Sequence, residues 1–338
     1  IQNCLENHKT CNRNPQENSS FLPTRLVDVQ CPSSIRLLNS SAIVDPDRRY
    51  VALSYCWSDS MPESGRTTLS SLAVHQHEIN AKKLPKTLQE ALEVTRSLSI
   101  RYIWIDALCI IQDDEIDRER EIETMAQVYS CATLTIAAGV SSHCDGGFLV
   151  TKRSPSRILS MWFGSWPEEL TRLLLTVSPA WTGPLFSNPL FKRGWTLQER
   201  ELSVRVLHFT STNVIFECRE AVNRYEPGDW RHRMLDFEDS RKSPWRGRSM
   251  KRIAIADWHV IWWRTVRDYS RRRFTDPSDM LPAIAGLADV IEKRLGWSYR
   301  AGLWMENLAF DLLWQVVRDA RVTEVVDAYV APSWSWAS

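Results

Sequence analysis

Residues 50–138 alternate between short apolar runs and amphipathic segments, and this alternation restricts the possible fold more than any other feature of the chain. YVALSYCW at 50–57 joins β-branched and aromatic residues in a run suited to a buried strand. Pro85 then opens a segment in which Leu88, Ala91, Leu92, Thr95 and Leu98 recur on one helical face. RYIWID at 101–106 is a second strand. Asp113 or Asp114 can cap the next helix, whose apolar stripe is Ile122, Met125, Ala126 and Tyr129. ATLTIAA at 132–138 is a third strand, and VRVLHF at 204–209 adds another to the same set. Strand, helix, strand, helix, strand predicts an α/β fold with a parallel sheet covered by helices on both faces.

Around this unit the pattern changes. Residues 1–30 read as an N-terminal helical extension, 31–225 as the α/β domain, and 226–338 as a largely helical C-terminal region packed on it. Between Gly147 and about Phe191 a Trp-, Pro- and Ser-rich stretch reads as a long connection or insertion, and 225–252 as a polar, basic, loop-rich segment. NVIFEC is a short strand after a polar turn at 210–213. IADWHVIWWRTVRDYS, LPAIAGLADVIEKRL and MENLAFDLLWQVVRD carry three helical patterns. The sequence begins without Met and stops at APSWSWAS, so a further C-terminal region is expected outside it.

With 42 Lys and Arg against 41 Asp and Glu, the chain lacks the basic excess that binding a polyanion normally leaves, which argues against a nucleic-acid partner. No apolar run reaches the roughly 18 residues of a membrane-spanning helix, and IQNCLENHKTCNRN lacks the core of a secretory signal, so the expected address is cytoplasmic. The 16 tryptophans imply either a core built from large pieces or aromatic pocket walls.

Open parallel sheets bind ligands beyond the carboxyl ends of their strands. Ser54, Tyr55 and Trp57 close the first strand and are candidate ligand contacts. Asp106 and Cys109 close the second. Asp106 can orient a hydroxyl or cap a helix, and Cys109 is either a nucleophile or an inert core thiol. His208 sits inside an apolar strand, as a satisfied core residue would. At the N-terminus, Cys4, His8 and Cys11 fall at spacings of four and three, on one face if a helix forms. With Cys31 they can complete a tetrahedral zinc site, or else form a Cys/His stripe packed on the core.

YVALSYCW, RYIWIDALCIIQDD, MAQVYSCATLTIAA and RGWTLQERELSVRVLHF resemble, in order, the blocks of the fungal heterokaryon-incompatibility (HET) domain family. YSRRRFTDPSDMLPAIAGLA, YRAGLW and APSWSWAS are similar to the region that commonly follows them. The resemblance implies a part in programmed cell death when unlike fungal cells fuse, and a distant kinship with the TIR fold, a flavodoxin-like parallel sheet. Enzymatic TIR domains cleave nicotinamide from NAD with the glutamate of a Trp-Cys-x-x-Glu pattern. Trp195 and Glu199 match that pattern, Thr196 stands where the cysteine would, and Arg200 follows where leucine is frequent. Ser58 replaces the glycine that often follows the first block.

On this resemblance Glu199 is a candidate catalytic carboxylate of an NAD glycohydrolase, a hydrolase, with Arg193 and Trp195 as ligand contacts. The alternative at the residue level is a structural ion pair between Glu199 and Arg193. At the level of function the alternatives are a non-catalytic TIR-like assembly module, acting as a homo-oligomer, and a HET-fold enzyme of small-molecule biosynthesis.

Overall fold

The computed structural model describes residues 1–12, 21–32, 34–58, 61–149, 157–163, 171–177, 188–211, 213–225, 245, 253–255, 257–315 and 329–338. Most of the connection expected between Gly147 and about Phe191, most of the basic segment 225–252, and the end of the MENLAFDLLWQVVRD pattern lie outside the described residues.

The chain opens with two short helices, α1 (Gln2–Asn7) and α2 (Lys9–Asn12), followed by strands β1 (Arg25–Asp28) and β2 (Arg36–Asn39). The expected alternation then runs as β3 (Tyr50–Ser54), α3 (Leu72–His77), α4 (Lys86–Ser97), β4 (Tyr102–Trp104), α5 (Asp106–Cys109), α6 (Glu115–Cys131) and β5 (Leu134–Ala138). A separate hairpin, β6 (Arg157–Phe163) with β7 (Thr171–Val177), precedes α7 (Thr196–Leu202), β8 (Arg205–Phe209), β9 (Val214–Cys218) and β10 (Val222–Tyr225). The last part comprises α8 (Asp257–Tyr269), α9 (Pro282–Leu295), the short pair β11 (Tyr299–Arg300) and β12 (Leu303–Trp304), and α10 (Leu308–Asp311).

Eight strands form one mixed sheet in the order β10-β9-β8-β5-β3-β4-β1-β2. Its centre, β4-β3-β5-β8, is wholly parallel, and these are the four strands expected from the sequence. Both edges turn antiparallel, through β9 and β10 on one side and β1 and β2 on the other. Every residue of β3, β4 and β5 is buried, which is why these strands read as unbroken apolar runs rather than alternating ones. The extension expected over 1–30 therefore contains β1, which belongs to the sheet. Its short RLVD run, with a charge at each end, lacks a strand's usual signature.

Asp114 caps α6, its side chain accepting the Asp117 N–H. The buried face of α6 includes Asp117 and Glu121 beside Met125, Val128 and Tyr129, whereas Ile122 and Ala126 are half-buried. The cause is Arg25 of β1, itself buried, which bonds Asp117 and approaches Glu121 at 3.7 Å while its Nε donates to the Cys109 carbonyl at 2.6 Å.

The C-terminal helices pack on α7 through a second core whose buried residues include four tryptophans. Trp262 meets Trp304 edge-on at 5.3 Å between ring centroids, and Trp245 meets Trp258 at 5.7 Å. Much of the tryptophan excess is thus core rather than pocket wall. The third expected helix stops at Asp311, whose buried carboxylate turns back to accept from the Trp304 N–H (2.8 Å) and Trp263 Nε1 (2.7 Å).

One contact ties this C-terminal part to the loop before α7. Gly194 donates to the Arg273 carbonyl at 3.0 Å, Arg273 N–H donates to Lys192 at 2.6 Å, and the Phe274 ring covers Gly194. A Cβ at Gly194 would lie 1.9 Å from that ring. Gly194→Ala should therefore push Phe274 away and cost about 1–3 kcal/mol, read as a lowered midpoint in thermal or urea unfolding.

Candidate functional site

The candidate site lies at the carboxyl end of β3, where the chain leaves the sheet through Ser54, Tyr55 and Trp57. Ser54 Oγ donates to Glu199 on α7. Trp57 Nε1 donates to Asp106 Oδ2 at 2.7 Å, and Asp106 Oδ1 accepts the Ala107 N–H at 2.7 Å where β4 passes into α5. Arg193 Nη1 donates to the Tyr55 carbonyl at 2.6 Å. Trp195 Nε1 donates to Asp279 Oδ2 at 2.9 Å, so the segment before α9 forms part of the rim. Thr196 closes the turn into α7 by donating to the Leu190 and Arg193 carbonyls. The fold thus brings together Ser54, Tyr55, Trp57, Asp106, Arg193, Trp195 and Glu199 from three separate stretches of sequence.

Glu199 is 7% exposed. Burial pushes its carboxyl up to about 7, the Asp106 charge adds to the rise, and the Ser54 hydrogen bond with the Arg193 and Arg272 charges opposes it. The structural ion pair with Arg193 does not form, because the guanidinium is directed to the Tyr55 carbonyl and lies more than 4.0 Å from the carboxylate. Asp106 is also raised, by burial first, with the Trp57 hydrogen bond opposing. The Tyr55 hydroxyl is buried beside Asp106, and burial first, then the Asp106 charge, raises it well above its ordinary value. Beneath Ser54 a cavity of about 10 Å³, room for roughly one water, is bounded by Thr135, Thr196, Arg200 and His208.

Sequence reasoning missed Arg272 and Asp279. Arg272 bonds the Arg193 carbonyl at 3.3 Å and Thr196 Oγ1 at 3.1 Å. Both sit in a polar run, SRRRFTDPSD, that gives no local sign of packing against a strand end more than 200 residues earlier.

Of the two readings of Cys109, nucleophile or inert core thiol, its surroundings suit the second. It is fully buried, burial pushes its thiol up to about 12, its sulfur accepts the Ile105 N–H at 3.5 Å, and among the described residues no histidine is hydrogen-bonded to it. His208 is buried with Nε2 2.8 Å from Glu217, which also takes two 3.0 Å hydrogen bonds from Arg200.

A larger hollow of about 420 Å³ opens at the other end of the sheet, at the start of β4. Its Arg101 is already paired with Asp28 (2.8 Å) and Asp45 (2.9 Å).

The N-terminal cysteines and histidine gather, not on the one helix their spacing suggested but across α1 and α2 with His8 between the two, and with a different fourth member. Cys4, His8, Cys11 and Cys218 place one donor atom each within 4.8 Å of all the others. His8 Nδ1 lies 3.3 Å from Cys218 Sγ and 4.0 Å from Cys11 Sγ. Cys31, the expected fourth ligand, is exposed and outside this group. Cys218 ends β9, so a sheet strand delivers it, and sequence distance hid it.

Among the described residues no helix is long and apolar enough to cross a membrane. No solved structure matches the chain. Heterokaryon incompatibility protein 6, OR allele, of Neurospora crassa is 33% identical over 101 residues, covering 27% of this chain and 14% of that protein. The chain therefore spans only a small part of that relative's length. The family model described as Heterokaryon incompatibility protein (HET) matches residues 50–199, from the start of β3 to Glu199, which is the stretch that builds the site. Residues 50–199 thus carry a heterokaryon-incompatibility (HET) domain.

Proposed function

We propose that this chain acts in fungal heterokaryon incompatibility as a cell-death effector, and that the carboxyl end of its parallel sheet binds NAD and cleaves it at the nicotinamide–ribose bond. The observation that carries the reading is Glu199: a buried carboxyl with a near-neutral pKa, bonded to Ser54 and left without an arginine partner. Structural carboxylates are usually paired when buried, and an unpaired one at a strand end is a candidate for chemistry. The strand order lends support. Numbered among themselves, the parallel strands β4-β3-β5-β8 run 2-1-3-4, the order of flavodoxin-like sheets, whose ligands sit where the order reverses between the first and third strands. Here that point is the β3/β5 crevice, and Ser54 stands at it. This is the TIR-like element of the proposal.

The chemistry asks little of the protein. Nicotinamide leaves as a neutral group, so the main need is a negative charge beside the oxocarbenium-like ribose carbon. Glu199 supplies it once ionised, and an approaching cation lowers its pKa and so favours that form. Arg193 is available for a phosphate if it exchanges the Tyr55 carbonyl for the ligand, and Trp57 and Trp195 offer flat apolar faces. Because Glu199 is nearly covered, entry requires the Arg272–Asp279 segment to lift, with loss of the Trp195–Asp279 hydrogen bond.

The test is direct. Purified protein should show a raised melting temperature with NAD and release nicotinamide. Activity should rise with pH through about 7, as Glu199 ionises. Protein that shows neither the shift nor nicotinamide, whether dilute or at concentrations where it self-associates, would leave assembly without chemistry as the better reading.

A further inference from the structure

We propose that Cys4, His8, Cys11 and Cys218 bind a single structural zinc ion that fastens the N-terminal helices to the end of β9. The donor set is three thiols and one imidazole, a combination that selects zinc. Zinc–sulfur bonds of about 2.3 Å in a tetrahedron place sulfurs about 3.8 Å apart. Four donors all within 4.8 Å of one another suit one ion at the centre and are too close together for a two-iron cluster. Cys4, Cys11 and Cys218 are buried, and four protein donors leave no open position, so the site is structural rather than catalytic.

The surroundings point independently to negative charge on sulfur. Arg205 of β8 is 2% exposed, and among the described residues no carboxylate lies within 4.0 Å of it. Its Nε donates to Cys4 Sγ at 3.2 Å, and its Nη2 donates to the Asn12 side chain at 2.7 Å and the Cys11 carbonyl at 3.4 Å. A guanidinium buried among neutral groups is costly, so it calls for an anion. Zinc with three thiolates and a neutral imidazole carries one net negative charge, which Arg205 balances. A second N–H···S bond, from Ala221 to Cys218 Sγ at 3.3 Å, supports another thiolate from outside the donor set. The Thr10 N–H bond to Glu220 fixes the helix beside the site. Loading the ion expels three thiol protons and forms three Zn–S bonds and one Zn–N bond, with no change of oxidation state.

Protein purified under reducing conditions without added metal should contain about one zinc per chain by elemental analysis. Cys31→Ser should keep it and Cys218→Ser should lose it. Should Cys218→Ser fail to fold, the wild type exchanged into cobalt(II) gives a second measurement. It should show thiolate-to-cobalt charge transfer and tetrahedral visible bands, and His8→Cys should shift those bands to the red by adding a fourth thiolate. Stripping the ion with a strong chelator should lower the melting temperature and leave NAD chemistry as a separate question. Three outcomes would overturn the proposal: metal-free protein that takes up neither zinc nor cobalt, a disulfide among Cys4, Cys11 and Cys218 seen as a two-dalton loss, or zinc lost with Cys31→Ser but kept with Cys218→Ser.

Discussion

Glu199→Gln is expected to reduce NAD turnover by about 100-fold or more while making the folded protein more stable at alkaline pH. The two effects have one origin. Glutamine keeps the size of the side chain and a carbonyl oxygen for Ser54, but it cannot place a negative charge beside the ribose. For stability, the carboxyl is displaced upward in the fold, from 4.5 to about 7. A group whose folded pKa is raised lends its stabilisation in the protonated form. That stabilisation is complete below pH 4.5 and lost as pH rises through about 7. The displacement corresponds to about 3 kcal/mol of destabilisation above pH 7, an upper bound that solvent relaxation reduces. The variant should thus match the wild type near pH 4.5 and exceed it at pH 8. Urea unfolding at both pH values, with nicotinamide release measured on the same samples, separates this from a structural role. A variant less stable at pH 8, with turnover falling only as far as the folded fraction, would mean that Glu199 holds the fold and does no chemistry.

The largest effect on stability is expected at Arg25. Arg25→Ala should cost up to about 3–5 kcal/mol, because it removes the buried one of the two guanidiniums that Asp117 and Glu121 share and leaves them only the half-exposed Arg120. At about 2–4 °C per kcal/mol for a domain of this size, the melting temperature should fall by roughly 10 °C. Burial alone would raise Asp117, but the Arg25 hydrogen bond and the Ile111 N–H (2.9 Å) hold it below its ordinary value. Its contribution is therefore present above the usual carboxylate range and lost as pH falls. Adding Asp117→Asn and Glu121→Gln to Arg25→Ala should recover much of the loss, since neutral amides do not need the guanidinium. A single substitution with an unchanged melting temperature would show that water reaches the cluster and that the charges are solvated.

Fold and site were legible in the sequence to different depths. β3, β4 and β5 were readable because burial on both faces forces apolar runs, and α4 because one face repeats at helical spacing. β1 was not, since its two end charges pair with groups far along the chain, and the same pairing buries Asp117 and Glu121, which lie off the apolar stripe read for α6. Ser54, Asp106 and Glu199 could be assembled from strand-end logic and the Trp195/Glu199 pattern. Arg272 and Asp279 could not, because nothing in a run of charges says which of them meets a strand end. Cys218 shows the limit most plainly: three donors with regular spacing announce a group, and the fourth is fixed only by topology. Cys31 was nearer in sequence and chemically equivalent, yet the sheet places it elsewhere.

The docking of residues 4–12 against β8 and β9 also sets an order of events during synthesis. Cys4, Cys11 and Asn12 find Arg205, and His8 finds Cys218, only after some 200 further residues exist. Closing so long a loop is slow compared with local helix formation, and a growing chain cannot attempt it until β9 has left the ribosome. Until then the two leading cysteines stay open to oxidation and to other thiols, so yield on expression should depend on redox conditions more than the stability of the finished fold would suggest.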